Sequence, residues 1–253
     1  MSTQSSGLRL FWTEFRDNKV ALFALVVVIL MIFLALFASL ISPQNPYDLA
    51  NLSLMDSRRP PGFVGSGGYT HVLGTDPQGR DLLSAIFYGL RISIQIGLAA
   101  GFVSLTIGTA LGIAAAYLGG RVEALIMRLV DLQLSFPAIL LALVIVALLG
   151  QGKVQLIGAL VAAQYAYFAR TAYGAAKAER GKDYIEAALA TPLSGRLVVW
   201  RHLLPNCTPP LIVVATVQIA NSISLEATLS FLGLGLPVTE PSLGMLISNG
   251  FPY

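Results

Sequence analysis

The stretch Asp183–Asn206, DYIEAALATPLSGRLVVWRHLLPN, is the longest charged and amphipathic segment of the chain, and strongly apolar sequence flanks it on both sides. It reads as two short helices with a break between them, lying on one face of a membrane protein. Asp183 to Ala190 uses good helix formers, and Asp183 and Glu186 fall in the first turn, where the helix dipole favours negative charge. Pro192 cannot continue that helix, but it suits the first position of the next, with Thr191 as N-cap. In the second helix Leu193, Leu197, Trp200 and Leu204 recur at helical spacing on an apolar face, while Arg196 and Arg201 carry positive charge elsewhere. On this reading Pro205 ends the helix.

The composition outside this stretch belongs to a membrane. Of 253 residues 55% are hydrophobic and only 11% are charged, against roughly 25% charged in a soluble domain. A mean hydropathy of +0.73 points to several membrane passes. The net charge of +3 is spread over loops, so it implies no nucleic-acid surface. The single cysteine, Cys207, excludes an internal disulfide and a Cys-based metal cluster. The two histidines, His71 and His202, lie far apart in sequence and argue against a zinc site.

Residues 1–19 form an amphipathic cytoplasmic segment in which Leu8, Leu10, Phe11, Trp12 and Phe15 can lay a short helix on the membrane surface. Val20 to Ile41 is free of charge and reaches about 33 Å as a helix, enough for a first span and too long for a signal-peptide core. Residues 42–90 read as an ordered extracytoplasmic loop with turns. Residues 91–253 follow as the membrane core, with spans expected at about 92–118, 125–149, 154–173 and 211–234, and short cytoplasmic helices at 183–205. Gly97 and Gly101, and again Gly108 and Gly112, are spaced by four and let neighbouring helices approach closely. The third expected span contains Pro137, and Pro209-Pro210 opens the fifth. With the N-terminus cytoplasmic, the inner segments hold Arg9, Arg16, Lys19, Arg121, Arg128, Arg170, Lys177, Arg180, Lys182, Arg196 and Arg201, most of the 16 Lys and Arg. That bias supports an N-in orientation.

Two segments resemble one family. Glu186-Ala187-Ala188 followed by His202-Leu203-Leu204-Pro205-Asn206 resembles the EAA loop of bacterial ABC importer permeases, with Pro192 standing where that family usually has Gly. His71 to Ser93, HVLGTDPQGRDLLSAIFYGLRIS, resembles the segment before the second span in the dipeptide, oligopeptide and nickel class of those permeases. The resemblance implies an all-α polytopic membrane protein with the type I ABC importer permease fold, five spans in this chain and a sixth expected after Tyr253. It implies a multi-pass protein of the bacterial inner membrane. The implied partners are a second homologous permease, two ATP-binding subunits that hold ATP and Mg, and an extracytoplasmic solute-binding protein. It gives an ATPase-coupling role to Tyr184, Glu186, Ala187, Ala188, Pro192, Gly195, His202 and Pro205. It gives an outer-loop or gate role to Gly74, Thr75, Asp76, Gly79, Arg80, Asp81 and Arg91, with Arg80 expected to pair with an Asp.

Ionisable groups within spans need a partner or a wet cavity. Asp131 and Arg170 sit near the cytoplasmic ends of their spans. They can pair across the third and fourth helices, engage Arg128, or reach independently to the interface. Gln218, Asn221, Ser222 and Glu226 share a broad helical face that either lines a translocation path or makes interhelical hydrogen bonds.

No G-x-x-x-x-G-K-[ST] phosphate loop, G-x-S-x-G or H-E-x-x-H is present, and no Ser or Asp can be assigned to either histidine as a triad partner. The chain therefore reads as a transport subunit with no catalytic residues, metal or cofactor of its own. A secondary transporter or channel working without an ATPase predicts internal repeats and helices broken at the midplane. No such repeat is found. An intramembrane hydrolase needs a nucleophile and a base at one depth, and neither histidine lies within a span.

Overall fold

The computed structural model describes residues 12–13, 15–48, 52–185 and 195–251. Among them the architecture is helical, with one two-stranded hairpin. The chain divides into two compact units, one ending at Arg91 and the other beginning at Ile92.

In the first unit, helix α1 (Lys19–Leu36) starts where Asn18 Oδ1 accepts the amides of Val20 and Ala21, each at 3.1 Å. Such a cap satisfies amides that the first turn leaves unpaired. The helix is apolar all round and buries only Ala35, the pattern of a helix solvated by lipid. The expected uninterrupted span to Ile41 is broken at Phe37, after which a one-turn helix α2 (Ala38–Ile41) follows. Strands β1 (Phe63–Val64) and β2 (Thr70–His71) pair antiparallel, with Phe63 opposite His71. Gly74 and Gly79 have φ of +81° and +78°, and a Cβ on either would strike a backbone carbonyl, of Arg59 and Ser53 respectively. Only glycine satisfies both demands there.

Helix α3 (Leu82–Leu118) begins ten residues before the expected second span. Its cap is Asp81, whose Oδ2 accepts both the amide and the hydroxyl of Ser84 at 2.7 Å. The third expected span is not one straight helix. Helix α4 (Gly120–Leu134) and helix α5 (Ala138–Leu149) meet at a 92° bend. Pro137 supplies no N–H and biases its predecessor away from helical geometry, which stops α4 at Leu134. Helix α6 (Lys153–Arg180) carries the fourth expected span. It is long enough to cross a membrane, but Gln155, Gln164, Arg170 and its tyrosines keep it less apolar than the others. Its burial explains this composition. α6 packs against α4, α5 and the long helix α8 (Leu204–Phe231), so many of its residues face protein rather than lipid.

Pro205 does not end the second amphipathic helix, and Pro209-Pro210 does not open a new one. The chain runs from α7 (Gly195–Val198) through a π-helical turn (Val199–Leu203) into α8, so all three prolines lie in one helical run. The wide turn changes the hydrogen-bond register just before Pro205, where a missing N–H is least disruptive. Helix α9 (Leu243–Gly250) is short and packs on α8. Among the described residues three helices are therefore long and apolar enough to span, Lys19–Leu36, Leu82–Leu118 and Val199–Phe231, or four with the bent pair counted as one, in place of the five expected.

The glycine pairs of α3 serve two partners. Gly97 and Gly101 face Ile223 and Ile219 of α8, whereas Gly108 and Gly112 lie against the backbone of α6 at Tyr165 to Tyr173. One core cluster joins Ile92, Ile96, Val146, Leu160 and Leu229. A second joins Ile113, Phe168, Ile185, Val198, Leu203 and Cys207, and ties the amphipathic stretch to the bundle.

Candidate functional site

Glu186, Ala187, Ala188 and Pro192 lie outside the described residues. The chain on both sides of them is anchored at the end of α6. Glu179, near the C-terminus of α6, accepts from Lys182 Nζ at 2.7 Å and from the Tyr184 hydroxyl. Tyr184 in turn accepts from Asn206 Nδ2 at 3.1 Å, and that same nitrogen donates to the His202 carbonyl at 2.7 Å. The His202 ring lies 6.2 Å from that of Tyr184. Ile185, between these polar groups and the undescribed segment, is fully buried. Gly195 resumes the chain so close to Tyr117 that a Cβ would strike its hydroxyl.

The electrostatics follow from these bonds. Lys182 and then Tyr184 donate to Glu179 and hold its carboxyl below the ordinary range. The same carboxylate, aided by burial, pushes the Tyr184 phenol up to about 12. Tyr184 thus remains a donor at any physiological pH. Around this anchor, Lys177 Nζ meets Glu123 Oε1 at 2.6 Å, and Arg180 Nη1 donates to the Ala116 carbonyl at 2.7 Å. These contacts clamp the turn between α3 and α4 onto α6.

The expected apolar face of the second short helix is split: Leu193 lies outside the described residues and Leu204 packs half-buried against the core. Leu197 and Trp200 are exposed, while Val198 and Leu203 fill the core.

The outer-loop residues converge in the first unit. His71 Nδ1 lies 3.0 Å from Asp81 Oδ1, and the Asp81 amide donates to Gln44 Oε1 at 2.7 Å. Arg80 Nε meets Asp76 Oδ2 at 2.7 Å, the expected pair. Thr75 accepts the Arg59 amide at 2.8 Å and donates to the Asp56 carbonyl. Asp56 Oδ2 accepts the hydroxyl of Ser66 at 2.6 Å and its amide at 2.9 Å, which holds the Asp56 carboxyl below its usual range. Arg91 Nη2 reaches the Leu36 carbonyl at 3.5 Å. His71 therefore does have an Asp partner, which its sequence separation concealed. The arrangement is not a triad: Ser84 donates to Asp81 rather than to the imidazole, and Nε2 faces Gly65.

Within the bundle, Glu226 is enclosed. Ser93 donates to its Oε2 at 2.6 Å and Ser230 to its Oε1 at 2.8 Å. Ser222 meets the Gln164 amide at 2.8 Å, and with that amide turned, its nitrogen also reaches the Gln218 carbonyl at 3.2 Å. Gln218 and Asn221 line a cavity of about 250 Å³ with Gln164 and Tyr167. The polar face thus divides: Ser222 and Glu226 make buried helix contacts, while Gln218, itself largely buried, accepts from Asn221 Nδ2 at 3.4 Å at the edge of the cavity. Asp131 and Arg170 form an ion pair between α4 and α6. Among the described residues no group of three or more His, Cys, Asp or Glu is placed to hold a metal ion.

Sequence reasoning missed Glu179, Asn206 as a tether, Gln164, and the serine partners of Glu226. Gln164 carried a signal, an amide in the middle of an apolar run. The bonds of Asn206 to Tyr184 and of Ser93 to Glu226 join residues distant in sequence, whereas Ser230 and Glu226, and Glu179 with Lys182 and Tyr184, are within five residues of each other.

Comparison with known proteins gives the same picture. Residues 108–253 match the family described as binding-protein-dependent transport system inner membrane component. Residues 6–61 match the N-terminal TM domain of oligopeptide transport permease C. The chain is 36% identical over 248 residues to the di/tripeptide transport system permease protein DppC of Pseudomonas aeruginosa, covering 98% of this chain and 81% of that protein. It is 37% identical over 242 residues to the dipeptide transport system permease protein DppC of Escherichia coli, covering 96% and 80%. The Haemophilus influenzae dipeptide transport system permease protein DppC is 33% identical over 242 residues, covering 96% and 81%. The polytopic helical fold, the two matching segments and these relatives agree: the chain belongs to the family of binding-protein-dependent transport system inner membrane components, as a permease subunit of an ABC importer.

Proposed function

We propose that the cargo is a short peptide and that this subunit crosses the membrane five times with its N-terminus in the cytoplasm. In this reading α6 is the fourth pass, admitted by its neighbours rather than by its hydropathy. The subunit pairs with a second, homologous permease. Two ATP-binding subunits hold ATP and Mg, and an extracytoplasmic solute-binding protein delivers the peptide. The bend between α4 and α5 lies within the third pass. The relatives that match over nearly the whole chain are di/tripeptide and dipeptide permeases, which supports the cargo class.

The observation that carries the mechanism is the network of Glu179, Tyr184 and Asn206. It fastens the first and last parts of Asp183–Asn206 to α6 and α8, the two helices that carry Gln164, Gln218 and Asn221. Glu186, Ala187 and Ala188 dock into the ATPase cleft, and Pro192 marks the break. His202 and Pro205 support the second short helix. When the ATP-binding subunits close, force on this stretch passes through the anchor to the helices beside the path. The loop around Gly74, Thr75, Asp76, Gly79, Arg80, Asp81 and Arg91 forms the outer gate or the dock for the binding protein.

The test is uptake of labelled Ala-Ala into proteoliposomes holding the complete complex, with ATP inside the ATPase compartment and loaded binding protein on the other face. The reading predicts uptake that requires both. Uptake without ATP, or none with all components present, would overturn it.

A further inference from the structure

The ion pair of Asp131 and Arg170 stands where several open spaces meet. Arg170 lines a cavity of about 480 Å³ with Tyr167, Thr171 and Gln218. On the other side Asp131 borders an open surface of α4 with Arg128 and Ser135. Tyr167 and Gln218 also belong to the cavity that holds Gln164 and Asn221. On α6, residues 164, 167, 170 and 171 follow helical spacing, so a furrow runs along one face of that helix against α8. The side chains of Arg170 and Asp131 are 47% and 52% exposed. Exposed charges within a span face water or protein rather than acyl chains.

The chemistry of the furrow is uneven in an informative way. Val213, Val214 and Val217 form a smooth apolar wall that selects no particular side chain. Its polar groups are the opposed charges of Arg170 and Asp131, a further cation at Arg128 on the α4 side of Asp131, and several neutral amides and hydroxyls. Peptides of varied sequence share only their amide groups, a free ammonium and a free carboxylate. A guanidinium offers two parallel donors to a carboxylate, and a carboxylate accepts an ammonium. When the furrow is empty, Arg170 and Asp131 neutralise each other. When a zwitterion arrives, one ion pair is exchanged for two. The cavity beside Arg170 is within the usual size range of small-ligand sites, roughly 300–1,000 Å³.

We propose that Arg170 and Asp131 form a transit site, Arg170 receiving the carboxylate and Asp131 the ammonium of a zwitterionic peptide moving along α6 and α8. This rests on the peptide-importer reading above. Arg170→Gln, Asp131→Asn, Arg170→Lys and the charge exchange Arg170→Asp with Asp131→Arg are each assembled in the complete complex in proteoliposomes. Labelled Ala-Ala uptake, ATP hydrolysis stimulated by loaded binding protein, and thermal stability are measured on each. A transit site predicts that each neutral variant loses about tenfold in uptake while stimulated hydrolysis and stability stay within twofold of the wild type. Arg170→Lys keeps assembly and raises the Ala-Ala concentration for half-maximal uptake severalfold. A structural strut would instead lower uptake, hydrolysis and stability together and recover them in the charge exchange, which would overturn the proposal. So would unchanged uptake in Arg170→Gln or Arg170→Lys, or an ATP-independent leak, which would mark a gate. A wild-type complex that takes up no Ala-Ala fails the peptide-importer reading before any variant is compared.

Discussion

Glu226 shows how a costly residue is accommodated inside a helix. Its carboxyl group meets hydroxyl donors from Ser93 on α3 and Ser230 one turn along its own helix, and it has no exposure. Glu226→Gln retains an acceptor and the packing, and should cost about 1 kcal/mol. Glu226→Ala leaves a void and two orphaned hydroxyls, and should cost about 2–4 kcal/mol. Thermal unfolding of the purified complex separates them, and equal losses would contradict the helix-contact role. Tyr184 answers a different question. Glu179 has a depressed pKa, so its bonds are present above the ordinary carboxylate range and are lost as pH falls through the depressed value. The Tyr184 phenol is raised to about 12, so its contribution is complete below pH 10 and fades only as pH climbs through that value. Tyr184→Phe removes one of the two donors to Glu179. The acid limit of stimulated ATP hydrolysis should then move upward in pH, towards that of an ordinary glutamate. An unchanged acid limit would show that the anchor does not transmit to the ATPase.

Among the elements, the glycines of α3 distinguish a backbone contact from a side-chain contact. A Cβ at Gly108 would overlap the Tyr165 carbonyl and lie 2.9 Å from the Ala169 amide nitrogen, neither of which can turn away. At Gly97 it would meet the Ile223 side chain, 2.5 Å from Cγ1, and a rotamer change relieves that. Gly108→Ala should therefore destabilise by about 3 kcal/mol and Gly97→Ala by about 1 kcal/mol. Denaturation of the two variants in the same detergent gives the comparison, and a reversed order would contradict the packing of α3 against α6. The spacing of these glycines was legible in the sequence, because close approach needs small residues four apart. That the two pairs have different partners was not legible, since it depends on where α6 and α8 cross α3. The prolines were misleading for a related reason. Pro137 breaks its span at 92°, while Pro205, Pro209 and Pro210 are carried inside a helix. A π-helical turn absorbs the first, and nothing in the residue types announces that turn.

At the scale of the whole molecule, composition alone established a polytopic helical protein. The two segments with family character, at 71–93 and 183–206, identified the importer family. Hydropathy reads the lipid-facing helices well, as α1 shows. On the proposed five-pass reading it misses α6, because a helix enclosed by others is freed from the need to be apolar all round. The site was legible in part. Arg80 and Asp76 lie four residues apart, and their pair could be expected. His71 with Asp81, and Asn206 with Tyr184, required the fold. In the proposed mechanism Asp183–Asn206 couples this subunit to separate ATP-binding subunits. The most direct measurement is purification of the tagged chain from its native membrane in mild detergent, with mass spectrometry of what accompanies it. A homologous permease and ATP-binding subunits should accompany the wild type, and Glu186→Arg with Ala188→Trp should retain the permease but lose the ATP-binding subunits. Recovery of those subunits at wild-type levels with the double variant, or a transport-competent chain that needs no ATP, would contradict it.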